Sequence, residues 1–545
     1  MTKKYYYERA DYVLNHEMNK TFAEILWMSQ EEFVEWLREM RKVIVYAWDE
    51  LGVPPRVGWN RNDIIDQFNK MSEYPVHEFL REDVNGDKKI IRNTSVIGNA
   101  CNQFFPTMMK TRINYSKNDD GRSIYDHFVE ESLFDKVCKY AHRHFKRDSF
   151  YEYSRTVPVF SGKMRSEKHD KQFLISAQNG VEWIQRFEKE IRHKNEHDYW
   201  IAPFCEDTEY SGHNQSSEEN ETVFGETNKT ESLADTKWCT LTKNDIKELN
   251  IPEKCLTNAN IEKNDLFRIR VFDLNTKIFP VGFKAFRISW CQYAVNFPPL
   301  TAKLLYEKYT EHIKDQDIIN IFDPSSGWGG RILGAMSVKP DRNIHYIGTD
   351  PNTDHWIGEI GVTKYEYLAD FFNKNTTRSV GTLYPHTNTY EVYQLGSEVI
   401  QHSDKFKRYK GKLDLVFTSP PYFAKEAYSE DEEQSYKQFP KYDAWVEGFL
   451  RPTLTTAVEY LKSDRYLLWN IADAKFGPDM LPLEQDSRKI LEELGMQYIE
   501  TMKMTLAWMP GGNRIDSEGR PSYKNAVYVD GKWFKYEPIF VYYKP

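Results

Sequence analysis

From about residue 265 onward the chain alternates short apolar runs with amphipathic stretches, and this alternation restricts the fold more than any other feature of the sequence. FRIRVFDL, IINIFD, NIHYIGTD, EVYQL and DLVFTS have the length and content of strands, while PLTAKLLYEKYTEHI and other helix-length segments lie between them. Strands separated in this way reach a parallel neighbour only by a crossover, so the pattern predicts an α/β fold with a doubly wound parallel sheet. Leu415-Val416-Phe417 is apolar on both faces, as a strand covered by helices on both sides requires. Sheets of this kind bind ligands beyond the carboxyl ends of their strands.

Three of these strand ends carry distinctive residues. INIFDPSSGWGGRILGAM (319–336) reads as buried strand, glycine turn and helix, and Gly327, Gly329 and Gly330 permit a backbone path and a ligand approach that a Cβ would block. Asp323 at the strand end could orient a ligand amine, and the following helix start adds oriented amides. NIHYIGTDPN (343–352) ends in Asp350, placed to grip both hydroxyls of a ribose. The turn lacks GxGxxG spacing and does not match a phosphate-cradling P-loop. DLVFTSPPYF (414–423) stops abruptly, because Pro420 and Pro421 offer no ladder donor and restrict the residues before them.

FDPSSGWGG, TDPN and TSPPYF, in that order, resemble motifs I, II and IV of S-adenosylmethionine-dependent amino-methyltransferases acting on DNA. The resemblance covers roughly residues 280–545, and FPPLTAKLLYEKY (297–309) is similar to the motif X helix of that family. It implies a Rossmann-like methyltransferase domain with S-adenosyl-L-methionine as cofactor. The matching cofactor-binding positions are Asp323, Pro324, Ser325, Gly327, Gly329, Asp350, Asn352, Phe297 and Pro298, with Trp328 as a neighbour and Gly396-Ser397-Glu398 as a loose third motif.

The resemblance also implies a role for the prolines. An exocyclic amine conjugated to a base ring is a poor nucleophile. Ser419 and the Pro420 carbonyl would accept its two N–H bonds and turn its lone pair toward the methyl donor, with Pro421 fixing the carbonyl geometry. Tyr422 would stack on the extruded base and Phe423 would wall the site. Ser-Pro-Pro-Tyr is more usual among enzymes that methylate cytosine N4, so that base is favoured over adenine N6. Related motifs also serve RNA and protein glutamine amides, and these remain alternatives.

Residues 1–205 are predicted to form a mainly α-helical domain. In MSQEEFVEWLREMRKVIVYAWDEL, Phe33, Trp36, Leu37, Met40, Ile44 and Ala47 recur at helical spacing, and Ser29 with Glu32 forms a capping box. Helices are also expected over 123–145 and 180–193. Residues 136–171 hold ten basic residues against four acidic ones, interleaved with aromatics such as Tyr140, Phe145 and Tyr151. Cations for phosphates and rings for bases suit double-stranded DNA, so Lys146, Arg147 and Arg155 are candidate substrate-binding residues and this domain the candidate for target recognition. The polar, acidic stretch 206–236 reads as a flexible linker, 237–279 as a connecting segment, and 280–545 as the methyltransferase domain.

The net charge of −9 excludes a uniformly basic coat, and the six cysteines contain no CxxC pair, so neither a disulfide framework nor a metal site is expected. No apolar run approaches the roughly 20 residues of a membrane span, and no secretion signal is visible, so a cytoplasmic protein of a bacterial or phage-infected cell is expected. A non-enzymatic DNA-binding protein with an inactive cofactor domain is the competing class, but both motif sets are intact. No paired-acid-plus-lysine nuclease pattern accompanies them.

Overall fold

The computed structural model describes residues 16–21, 24, 28–51, 61–82, 87–91, 97–113, 121–138, 199–203, 236–242, 266–273, 277–278, 294–314, 318–338, 343–358, 360–376, 388–506, 525–529 and 532–545. Two compact units emerge, one of residues 1–58 with 124–292 and the other of 59–123 with 293–545.

In the first unit the helix Gln30–Asp49 begins at the expected capping box: the Glu32 amide donates to Ser29 Oγ and the Ser29 amide to Glu32 Oε2. All six residues of the expected apolar stripe are buried. Tyr125 and Phe128, on the helix Ile124–Val129, set their rings against Trp48. Strands Tyr199–Pro203 and Thr236–Thr242 both pair antiparallel with Leu266–Asp273. Residues 206–235 of the acidic stretch expected as a linker lie outside the described residues. The helix expected over 180–193 and the basic residues Lys146, Arg147 and Arg155 lie outside the described residues.

The second unit runs, in chain order, through α1 (Arg61–Glu73), β1 (Leu80–Glu82), β2 (Lys88–Ile90), β3 (Arg112–Ile113), α2 (Pro299–Thr310), β4 (Ile319–Asp323), α3 (Gly330–Met336), β5 (Ile344–Thr349) and α4 (Lys364–Asn375). It continues with β6 (Thr389–Tyr393), β7 (Leu413–Thr418), β8 (Glu426–Ala427), α5 (Arg451–Tyr460), β9 (Leu461–Asn470), α6 (Leu483–Glu493), β10 (Gln497–Thr505), β11 (Ala526–Val529) and β12 (Lys532–Lys544). The main sheet has the order β6-β5-β4-β7-β9-β12-β10-β2-β1, with β11 beside β12. Neighbours from β6 to β9 are parallel, and β12 inserts antiparallel between β9 and β10. This is the expected doubly wound, Rossmann-like sheet. The chain steps outward through β4, β5 and β6 and then returns to β7, so the strand order reverses between β4 and β7. Every residue of β7 is buried, including Asp414, whose carboxylate pairs with Lys462 and Arg465.

Residues 61–113 fold with this sheet, whereas the sequence reading grouped them with the N-terminal helices. Two interactions draw them in. β2 pairs parallel with β10 at Lys89↔Lys503 and Ile90↔Met504, extending the sheet. Lys303, fully buried on α2, donates to the carbonyls of Met71 and Ser72 at 2.8 Å and of Tyr74 at 3.3 Å. One ammonium thus satisfies carbonyls at the C-terminal end of α1, where the helix dipole is negative. No helix among the described residues is long and apolar enough to cross a membrane.

Lys303→Met keeps the length of the stem and strands those carbonyls. It is expected to destabilise the second unit by about 3 kcal/mol, read as a lower thermal midpoint. A midpoint unchanged from the parent would show that the ammonium contributes nothing net.

Candidate active site

β4 ends at Asp323, which is fully buried and accepts four hydrogen bonds. Oδ1 accepts from the Ser325 amide at 3.2 Å and Thr418 Oγ1 at 2.7 Å; Oδ2 accepts from Arg331 Nε at 2.8 Å and the Tyr346 hydroxyl at 2.6 Å. These donors come from the turn, the end of β7, the start of α3 and β5. Asp323 therefore spends its acceptors on the protein itself, and the amine-orienting role read from sequence is replaced by an architectural one. Burial works against the charge on Arg331, but Asp323 and the nearby tyrosines outweigh it and raise the guanidinium above its ordinary pKa.

The turn that follows exposes only part of itself. Ser325 and Gly327 keep accessible surface, whereas Pro324, Trp328, Gly329 and Gly330 are buried. Gly329 has φ +77°, and a Cβ there would lie 2.3 Å from a Phe105 ring carbon. At Gly330 it would lie 2.1 Å from the Phe297 carbonyl oxygen. Asn296 stitches this approach, donating to the Trp328 carbonyl at 2.7 Å and accepting from the Gly330 amide at 3.2 Å. Phe297 sets its ring against Phe417, and Pro298 caps the start of α2. Trp328 packs among Phe105, His355 and Tyr428.

Asp350 stands at the end of β5, opposite the turn. Its carboxylate accepts from the Gly327 amide at 3.1 Å and the Asn352 amide at 3.0 Å, and its side chain remains 13% exposed. Burial pushes its pKa up to about 6, against the opposing effect of these donors and Tyr365. Asn352 itself is buried, its side-chain oxygen accepting from the Asp354 amide, so it shapes the loop beneath Asp350. Tyr365 donates to the Gly327 carbonyl at 2.6 Å and holds the turn from α4.

The segment after β7 begins one residue beyond the Thr418–Asp323 bond. Ser419 is half-buried, and its hydroxyl has no partner among the described residues. Pro420 is buried and Pro421 half-buried. Tyr422 is half-buried with its hydroxyl enclosed and without a well-formed hydrogen bond among the described residues; burial first, then Glu537 and Glu426, raise its pKa far above the usual phenol value, with the Ala472 backbone opposing. Phe423 adopts φ +55°, a strained value for a residue with a Cβ, and is buried against Tyr442, Trp445 and Phe476. Phe423 thus anchors the turn in the core, in place of the expected wall of the site. Ser397 is buried with its hydroxyl 2.8 Å from that of Thr453, so this loose third motif serves packing.

Several residues of the site escaped the sequence reading. Arg331 and Asn296 brace the glycine turn, and the carboxyls of Glu426 and Glu537 flank Tyr422. Arg331 had one visible signal, a lone charge within the apolar helix GGRILGAM. No group of His, Cys, Asp and Glu suited to a metal ion occurs among the described residues.

No protein-family model matches the sequence, and no curated protein matches it. Among solved structures the chain is similar to precorrin-6y C5,15-methyltransferase from Geobacter metallireducens, with TM-score 0.24 and 12% identity over 45% of this chain and 87% of that one. It is also similar to a TehB-like S-adenosylmethionine-dependent methyltransferase from Corynebacterium glutamicum, with TM-score 0.23 and 14% identity over 48% and 94%. A third likeness is to a protein from Thermus thermophilus designated a DNA modification methylase and complexed with S-adenosyl-L-methionine, with TM-score 0.18 and 19% identity. That match covers 27% of this chain and 53% of the other, about half its length. Likenesses this weak decide neither substrate nor chemistry, which rest on the site itself.

Gly330→Ala is expected to destabilise the second unit by about 2–3 kcal/mol through overpacking. Gly358→Ala, whose Cβ would meet nothing nearer than 3.9 Å, is the matched control and should leave the unfolding midpoint within error.

Proposed function

We propose that the chain is an S-adenosylmethionine-dependent methyltransferase acting on an exocyclic amine of a base in double-stranded DNA, with cytosine N4 favoured over adenine N6. The observation that carries this reading is the bond from Thr418 to Asp323, which sets the Ser-Pro-Pro-Tyr segment directly beside the glycine turn at the reversal of strand order. A site for a nucleoside-bearing cofactor and a site for a conjugated amine are thereby adjacent.

The residues fit the cofactor. Asp350 offers a partly accessible carboxylate whose bonds within the protein come largely from backbone amides, leaving acceptor capacity for ribose hydroxyls. Ser325 and Gly327 keep accessible surface next to it. When bound, S-adenosylmethionine supplies an electrophilic methyl group.

The chain's own contribution is positioning. Ser419 has a hydroxyl without a partner among the described residues, and Pro420 has a carbonyl and no competing N–H, so together they accept the two hydrogens of the amine and direct its lone pair outward. Tyr422 presents a ring for an extruded base to stack upon. The favoured base rests on Ser at position 419, and DNA as partner rests on the resemblance of the three motifs and the basic, aromatic stretch 136–171.

The test is incubation with methyl-labelled S-adenosylmethionine and unmodified duplex, digestion to nucleosides and mass spectrometry. N4-methylcytosine is expected; N6-methyladenine would retain the chemistry and overturn the base, and label only in RNA or protein would overturn the substrate. Ser419→Ala should lower kcat by roughly 10²–10³-fold while cofactor affinity is kept.

Asp350 gives a pH signature. Its pKa near 6 means that the ionised acceptor is complete above pH 7 and is lost as pH falls. Cofactor affinity, measured by calorimetry, should be flat above pH 7 and weaken about tenfold per unit below 6. Flat affinity down to pH 5 would remove Asp350 from the binding role.

A further inference from the structure

The carboxyl end of β7 continues across the sheet to β12. Thr418 pairs with Trp469 on β9, Trp469 with Phe540 on β12, and Asn470 with Ile539. Asn470 also reaches past the last rung, donating to the Pro538 carbonyl at 3.0 Å. Glu537 is the next residue; it lies on β12 past the last β9–β12 rung, where it still pairs with Met504 of β10, at the level of Pro-Pro-Tyr. Glu426 arrives there from the other side, on β8, which pairs with β3.

The two carboxyls differ. Burial raises the pKa of Glu426, while the hydrogen bond it accepts from the Tyr428 hydroxyl and the charge of Lys425 oppose that rise. Glu537 makes no side-chain hydrogen bond among the described residues, and protein encloses it while leaving part of its surface accessible. Burial, then the charge of Glu426, push its pKa up to about 7, with Lys535 opposing. The other titratable groups around this pair are Lys425 beside Glu426, Tyr422, Tyr428 and, facing Tyr422, Glu484. Of the two carboxyls Glu537 is the one whose pKa is pushed up to about 7, so it is largely protonated at pH 6 and largely ionised by pH 8.

A conjugated amine in the site brings a second group with it. Both cytosine and adenine carry a ring nitrogen beside the amine, with a lone pair that needs a donor once water is excluded. Neither Pro420 nor Pro421 has one to give. We propose that Glu537, as a neutral carboxylic acid, donates a hydrogen bond to that ring nitrogen, N3 of cytosine or N1 of adenine, and so recognises the target base. This rests on the function proposed above. A hydrogen bond to the ring draws some electron density from the amine and so does not assist the transfer step; its gain is in substrate binding.

The experiment is steady-state methylation of duplex DNA from pH 6 to 9 by the parent and by Glu537→Gln, Glu537→Ala and Glu426→Gln. The parent's KM for DNA should rise above pH 7 as Glu537 ionises. Glu537→Gln keeps an N–H donor that does not titrate, so this rise should vanish with activity retained. Glu537→Ala should raise KM at pH 6.5 about tenfold, the equivalent of one hydrogen bond near 1.4 kcal/mol, with kcat within about threefold. Glu426→Gln removes the charge facing Glu537 and should move the rise to lower pH, a readout that survives if the Glu537 variants fail to fold.

A collapse of kcat in a folded Glu537→Gln would overturn the inference and make Glu537 a proton acceptor. A KM for DNA in Glu537→Ala equal to the parent's would also overturn it. An inactive parent on DNA refutes the proposed function instead, so the two failures are distinguishable.

Discussion

The buried carboxylate of Asp323 is the junction on which the second unit's working edge depends. A fully buried charge is tolerated only when paired and hydrogen-bonded, and here Arg331, Tyr346, Thr418 and the Ser325 amide complete the shell. Breaking such a shell by removing one partner commonly costs about 3–5 kcal/mol. Its value lies equally in position. Four donors from separate elements fix the ends of β4, β5 and β7 relative to one another, and the register of the Ser419 segment to the glycine turn follows from that.

Around this junction the site divides into a rigid half and an acidic half. Asn296, Tyr365 and the close approach at Gly330 hold the turn with little freedom, as a surface must that meets a ligand through its backbone. On the other side Asp350, Glu426 and Glu537 are carboxyls whose pKa burial has raised. The strained Phe423, locked among Trp445, Tyr442 and Phe476, carries the chain away from the site and fixes where Tyr422 stands.

Much of this was legible in the sequence where the signal is local. The helix at 30–49, its capping box and its buried stripe appear as read, and so do the strands that end at Asp323, one residue before Asp350, and at Thr418. Periodicity and capping involve residues a few positions apart, so one stretch of chain states them completely. The reading was weaker where a residue's partner is distant. Phe423 was expected at the site because it follows the motif, yet its ring turns into the core. The membership of 61–113 was missed because β2 is three residues long and joins a strand more than four hundred residues away.

By itself the sequence determined which segments become strands, where each one stops, and which ends carry glycine, carboxylate or proline, because those outcomes follow from local sterics and hydrophobic period. The tertiary structure alone decided the strand order, the donors that absorb Asp323, and the meeting of Glu537 and Glu426 beside Tyr422. These depend on pairing register and crossover direction among strands far apart in the chain, and nothing in the local pattern of a strand names the neighbour it will pair with.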